Sequence, residues 1–361
     1  MSQLKQPTKL ARDKMSAISK FREATEVVYG PLEDDATRWA PPERSGGHKG
    51  RYLWTDAFGV INFITMSKEL DDPSHLIRAS RLVETVHNVL GRTRDGSSWL
   101  PGASEQNPVG GGLRIGKEDE GGSDGDGQYH HYLTLWMFAL NRLSKATNDS
   151  AYNDRAIALA KAIHPHFFVN KESKRPRMVW KISTDRERVL VPSQGNLDPL
   201  DGLVVFRKLQ AASSDPSILQ EEISDYRKVI ELKGRHFVSS DTLDLGMTLW
   251  TSHWLEEKEP YFEDLIKQAE RQVHELFDKD YMSISTHRRL AFREYGTCLG
   301  IGCMKAPDKK LQAYRDSITE TWEKHRSSTP GDLRAISEVM RAAALIPGAF
   351  RKDYLGAEPE I

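Results

Sequence analysis

Side chains able to move protons gather at a few places in this chain. Asp124-Gly125-Asp126-Gly127-Gln128-Tyr129-His130-His131 sets two acids, an amide, a phenol and two imidazoles directly before a long apolar run. Asp56 interrupts the apolar stretch Trp54-Thr55-Asp56-Ala57-Phe58, where a charge is costly unless it is paired or used. Asp198 and Asp201 stand three residues apart in Asn196-Leu197-Asp198-Pro199-Leu200-Asp201, which on a helix puts both on one side of the first turn. Trp250 and His253 share that spacing. Arg293-Glu294 sits in another apolar segment, where neighbours in sequence cannot pair and each needs a partner elsewhere. Such acids suit general acid–base work, and a histidine in the first turn of a helix tends to stay neutral and able to accept a proton. His130 and His131 point about 100° apart, so at most one of the two is expected to face a site readily.

Each group also has a plainer role. Asp56 and either Asp124 or Asp126 could cap a helix, and His253 could simply pack. Glu118-Asp119-Glu120 reads as a solvated loop. The Asp-Gly-Asp-Gly run lacks the other ligands of a calcium loop, and no HExxH or Cys/His cluster points to zinc. Gly110-Gly111-Gly112 lacks the Lys-Ser/Thr of a phosphate loop. Neither a metal nor a cofactor is expected. Asp71-Asp72-Pro73 is a turn that opens a helix.

Helices must hold these residues. Six segments are apolar on nearly every face (54–70, 129–147, 200–213, 243–256, 292–304 and 333–346), and a helix apolar all round is buried all round. Between them run amphipathic segments such as 75–90, in which Leu76, Ala79, Leu82, Val83, Val86 and Leu90 form one stripe. An acid or polar residue with Pro or Ser opens the amphipathic helices, at Asp72-Pro73-Ser74, Asp149-Ser150, Asp215-Pro216-Ser217, Glu259-Pro260 and Pro307-Asp308. Gly59, Gly202, Gly246 and Gly300 would let neighbouring helices approach closely. With 12–28 as the first outer helix, the pattern amounts to about six inner and six outer helices. Two insertions interrupt it, a Gly-rich one at 91–127 and one at 167–196 with the strand-like run 177–183. Long loops in a compact domain usually carry function. No linker divides the chain, so one domain over 1–361 is expected, with about five N-terminal and ten C-terminal residues loose.

Composition narrows the partners. Lys and Arg number 51 against 52 Asp and Glu, a formal net charge of −1. That balance argues against a nucleic-acid partner and against attraction to an anionic membrane. The total hides an uneven distribution, with bases on the outer helices and acids at the starts of the inner ones. Hydrophobic residues make up 38%, enough for a core and too many for a disordered chain. No run approaches the ~20 apolar residues of a membrane span. MSQLKQPTKLARDK has no secretory signal, Asn148-Asp149-Ser150 reads as a turn, and Cys298 and Cys303 read as buried, reduced thiols. A cytoplasmic protein is expected; the sequence carries no signal of oligomeric state.

The alternating helices, the opening Tyr52-Leu53-Trp54-Thr55-Asp56, the segment 124–131 and the outer start Asp72-Pro73-Ser74-His75-Leu76 resemble the (α/α)6 toroid of the six-hairpin glycosidase-like superfamily. That superfamily includes glycoside hydrolases, unsaturated glucuronyl hydrolases and sugar epimerases. The resemblance is architectural and covers most of the chain. It implies an all-α toroid whose funnel-shaped pocket is built at the starts of the inner helices and takes a carbohydrate or glycoside. Glycoside cleavage needs one protonated and one ionised carboxyl group. On this reading the catalytic candidates are Asp56, Asp126, Asp198 and His130, with Asp126 or Asp56 as general acid/base and Asp198 or Asp201 as its partner. Trp54, Asp124, Gln128, Tyr129, His131, Asp201, Trp250, His253, Arg293 and Glu294 are expected to bind the sugar. Two alternatives stand beside the hydrolase: a sugar epimerase or isomerase using a histidine base, and a non-catalytic sugar-binding protein. Two facing histidines without an acid pair would favour the first; a pocket filled with Trp or Phe would exclude both enzymes.

Overall fold

The computed structural model describes residues 9–32, 35–122, 124–233 and 239–361. Its described residues form twelve α-helices that alternate between an outer and an inner ring. The chain runs from outer α1 (Lys9–Tyr29) to inner α2 (Leu53–Leu70), outer α3 (Ser74–Leu90), inner α4 (His130–Thr147) and outer α5 (Ser150–Phe167). It continues through inner α6 (Asp198–Ala211), outer α7 (Gln220–Lys233), inner α8 (Thr242–Ser252) and outer α9 (Pro260–Asp278). Inner α10 (Ala291–Cys303), outer α11 (Lys309–Lys324) and inner α12 (Gly331–Leu345) complete it. Asp149 and Asp308 cap α5 and α11 through their carboxylates, which satisfies amide groups the helix leaves unbonded. Asp215-Pro216-Ser217 differs from the expectation. Its carboxylate bonds the Ser217 amide in a separate turn, and α7 begins only at Gln220.

Inner helices touch in the order α2–α4–α6–α8–α10–α12, and α12 returns to α2. α1 packs chiefly on α12, so the two ends of the chain jointly form the sixth hairpin. The architecture is an all-α (α/α)6 toroid. Glycine permits its tightest crossing: a Cβ on Gly246 of α8 would lie 2.1 Å from the Gly296 carbonyl oxygen of α10. Cys298 and Cys303, also on α10, are buried and unbridged. No helix among the described residues is long and apolar enough to cross a membrane.

The insertions carry the strands. β1 (Gln128–Tyr129) leads straight into α4, β2 (Phe168–Val169) pairs with β3 (Arg177–Met178), and β4 (Lys181–Ile182) lies antiparallel between β1 and β5 (Val189–Val191). A short sheet is thereby fixed at the N-terminal ends of the inner helices.

The other end of the ring is plugged. In the turn Gly348–Phe350, the Phe350 ring sits 4.9 Å from Phe58, 6.0 Å from Phe138 and 5.7 Å from Trp250, centroid to centroid. Trp250 Nε1 donates to the Phe350 carbonyl (3.2 Å), and Arg142 Nε donates to that of Ala349 (3.0 Å). Glu358 then pairs with Arg142 at 2.7 Å and Lys208 at 3.3 Å. The C-terminal residues, expected to be loose, are docked, because buried cations at the ends of α4 and α6 need a carboxylate. The first five residues lie outside the described ones. Replacing Phe350 by Ala should lower stability by about 3–5 kcal/mol through the cavity it leaves, read as a drop in the urea midpoint at unchanged m-value.

Candidate functional site

A cavity of about 800 Å³ opens at the N-terminal ends of the inner helices. All six contribute, among them Trp54 of α2, His131 of α4, Asp201 of α6, Asp244 of α8, Arg293 of α10 and Ile336 of α12. The convergence follows from the parallel run of the inner helices. It also gathers the positive ends of their dipoles, which favour carboxylates.

Carboxylates dominate the wall. Asp198 and Asp201, on the first turn of α6, are both buried and both line the cavity. Burial pushes the Asp201 carboxyl up to about 7, with the Asp244 charge adding to the shift and a 2.7 Å hydrogen bond from Thr251 opposing it. Asp244 is itself raised by burial and by Asp241. Asp241 caps α8, accepting from the amides of Leu243 (2.8 Å) and Asp244 (3.2 Å), and pairs with Arg293. At the rim, Asp124 is exposed and meets Lys117 at 3.2 Å.

Facing the acids stands an aromatic wall. The Trp54 and Tyr132 rings lie 5.2 Å apart, Tyr129 and Tyr132 also 5.2 Å, and Tyr129 and Trp180 5.7 Å. The Tyr52 and Tyr132 hydroxyls share a 2.5 Å hydrogen bond. His131 sits within this wall, its Nδ1 accepting from Trp180 Nε1 at 3.0 Å and lying 3.7 Å from Asp198. Its proton is therefore on Nε2. Burial holds the ring neutral, pushed down to about 3.

Several expected site residues stand elsewhere. Asp56 is enclosed beneath the wall, where Tyr29 donates to it at 3.0 Å and Arg51 lies at 3.5 Å; burial raises its carboxyl to about 6. It caps nothing, and its partners belong to the frame. Asp126 is tied by Arg94 (2.8 Å), Arg114 and the amides of Gly116 and Gly127 (3.0 Å each). It knots the 91–127 insertion and neither reaches the cavity nor caps α4. Gln128 bridges the carbonyls of Gly111 and Thr184. Glu294 is clasped by Arg289 at 2.5 and 2.7 Å and accepts from Trp322 and Tyr281. His253 bonds Trp250 O and the Lys352 amide, which turns it toward the C-terminal plug. His130 is buried behind Asp198, Nδ1 3.8 Å from that carboxylate and Nε2 2.7 Å from the Tyr226 hydroxyl.

The cavity thus unites Trp54, Asp124, Tyr129, His131, Asp198, Asp201, Trp250 and Arg293 of the expected residues, together with Asp244, an acid expected at an inner-helix start, and Trp180, a candidate stacking ring, and adds Tyr132, Asp241 and Asp332. Asp241, Asp244 and Asp332 carried a readable signal, since each acid opens an inner helix. Trp180 is one of the tryptophans the sequence offers as stacking platforms, but its place depends on how β4 meets α4. Tyr132 stands in the first turn of α4, where the pattern of the helix alone does not set it apart as a site residue.

No family model matches the chain, and no curated protein matches it in sequence. Among solved structures it is similar to a D-mannose isomerase, at 12% identity over 95% of this chain and 99% of that one, TM-score 0.58. It is also similar to an α-1,6-mannanase of glycoside hydrolase family 76 from a Salegentibacter species (12% identity, 92% and 98% covered, TM-score 0.54). A sugar epimerase from a ruminal bacterium is a third (11%, 91% and 98%, TM-score 0.52). The shared fold is the (α/α)6 toroid.

Asp201 and Asp56, whose carboxyls burial raises to about 7 and about 6, each hold a proton in the native state that the unfolded chain releases from about pH 4 upward. Their own contribution to stability therefore falls as pH rises through that window. The buried neutral histidines His75, His87, His131 and His253 contribute in the opposite direction, so the Asp201 effect is read as a difference between variant and parent. Asp201→Asn should be more stable than the parent at pH 8 and indistinguishable from it near pH 4, as read by urea denaturation at each pH.

Proposed function

We propose that the protein is a glycoside hydrolase-like enzyme that works on a neutral carbohydrate in this cavity. The observation that carries the reading is Asp201, a carboxyl group kept protonated up to about pH 7 inside an open, sugar-sized cavity lined by further carboxylates. A proton donor near neutral pH beside an ionised carboxylate is what glycoside cleavage requires. Asp201 supplies the proton to the leaving oxygen. Asp198, one helical turn away in the same wall, acts as its carboxyl partner, and Trp54, Tyr129 and Tyr132 take the apolar face of the sugar.

The structural neighbours support a sugar substrate. An inactive variant of the Salegentibacter mannanase, with two consecutive aspartates replaced, has been solved in complex with α-1,6-mannotriose. The described residues lining this cavity include no consecutive aspartates; Asp198 and Asp201, like Asp241 and Asp244, are spaced at i and i+3 on helix starts, while the adjacent acids Glu118 and Asp119 line it from the 91–127 insertion. The isomerase reading draws on the D-mannose isomerase neighbour and on His131. Against it, His131 is the one imidazole among the described lining residues, and its Nδ1 lone pair is taken by Trp180. Against a merely aromatic-filled pocket stands the open volume itself.

Release of reducing sugar should be measured on a panel of aryl glycosides, α-1,6-mannan and mixed-linkage β-glucan. Asp201→Asn should lower kcat by about 10²–10⁴-fold with little change in KM, and kcat/KM of the parent should decline as pH rises through about 7. Full activity in Asp201→Asn removes it as the acid. Conversion of D-mannose to a ketose without cleavage of any glycoside would replace hydrolysis by isomerisation.

A further inference from the structure

We propose that Trp180 forms a second sugar-binding position at the mouth of the cavity, so that the substrate is an oligosaccharide. Its terminal ring enters the well, and the next ring lies on the indole. The proposal rests on the carbohydrate reading above and names the substrate size that reading leaves open.

Trp180 is the one aromatic among the large apolar side chains that the described residues leave exposed, at 39% of its surface. It is nonetheless held rigidly. Its amide donates to Val191 O at 3.1 Å, its carbonyl accepts from the His130 amide at 3.3 Å, and Nε1 donates to His131 at 3.0 Å. Its ring leans on Tyr129 at an interplanar angle of 36°. With its backbone bonded on both sides and its indole held by the Nε1–H bond and the Tyr129 ring, yet still open to water, Trp180 keeps apolar surface available for a partner, and binding it costs little ordering entropy.

The partner's chemistry follows from the surroundings. A pyranose offers one face of C–H groups and a rim of hydroxyls. Indole takes the face by burial of apolar area, while Asp124 and Lys117 at the rim supply polar groups for the hydroxyls. The direction of the chain is set by the floor. Trp250 lines the cavity and rests against the Phe350 plug, so a glycan cannot thread through the ring. Further sugar units can extend only outward, past Trp180. The 167–196 insertion, which carries β4 and β5, gains a purpose by building this platform.

The test measures binding of mono- and trisaccharides of the same sugar, D-mannose against α-1,6-mannotriose and D-glucose against cellotriose, by calorimetry on the full chain. The parent should bind one of the trisaccharides about tenfold tighter than its monosaccharide, the scale of one aromatic contact. Trp180→Ala should lower trisaccharide affinity about tenfold and monosaccharide affinity by much less, which erases the preference. Trp180→Phe, which keeps a ring but loses the N–H to His131, should retain most of it, separating stacking from an effect on His131. Circular dichroism confirms that each variant folds. Equal loss for mono- and trisaccharide in Trp180→Ala, or a trisaccharide preference untouched by it, overturns the second position and leaves the carbohydrate reading standing. Absence of binding to all four sugars counts against both.

Discussion

A helix that is apolar on every face has to find neighbours on every side, and the rest of this structure depends on that requirement. α2, α4, α6, α8, α10 and α12 each meet it by packing between two other inner helices and against outer ones. Such an arrangement has no free edge only if the row closes. Closure falls to α1 and α12, the first and last helices, so the frame is complete only when both ends of the chain are in place. Gly246 and Gly296 show how little slack remains, since backbone meets backbone at the crossing of α8 and α10.

Parallel inner helices bring six positive helix ends to one rim, and that rim is where acids can be buried without a full complement of cations. Two kinds of carboxylate result. Asp126 and Glu294 are each bound by arginines and several hydrogen bonds, and removing one partner of such a pair would strand a buried charge. They hold insertions and helices together. Among the described residues Asp201 meets a hydroxyl and a like charge and no arginine. Its proton is consequently retained close to neutral pH, which is the property acid catalysis needs. The same burial thus produces rigidity where a cation is supplied and reactivity where it is withheld. The plug at Phe350 adds the third element by making the cavity a well rather than a channel.

Much of the site was legible and some of it was misplaced for a physical reason. Asp198 and Asp201 were readable because two acids at i and i+3 on a helix start share one side whatever the neighbours do. Of His130 and His131 the helical rotation allowed at most one to face inward, with His130 the expected base; the Tyr226 hydroxyl, reached past Gly202, holds His130 behind the wall and His131 lines the cavity instead. Asp56 and Asp126 looked as exposed to function as Asp201 did, because an acid in an apolar run looks the same whether an arginine waits for it or not. Arg51 and Arg94 are close to their carboxylates in space, and nothing in their spacing announces it.

What the sequence by itself determined is the alternation of buried and amphipathic helices, their count, the starts marked by acid and proline, and the gathering of acids at inner-helix starts. These follow from periodicity and end chemistry, which act within a few residues. Tertiary structure decided which carboxylates meet arginines, that the C-terminal residues plug the ring, and that a strand from the 167–196 insertion carries Trp180 to the cavity mouth. Those outcomes depend on contacts between residues far apart in the chain, and the choice between a paired acid and a protonated one is made by whatever those contacts bring within a few ångströms.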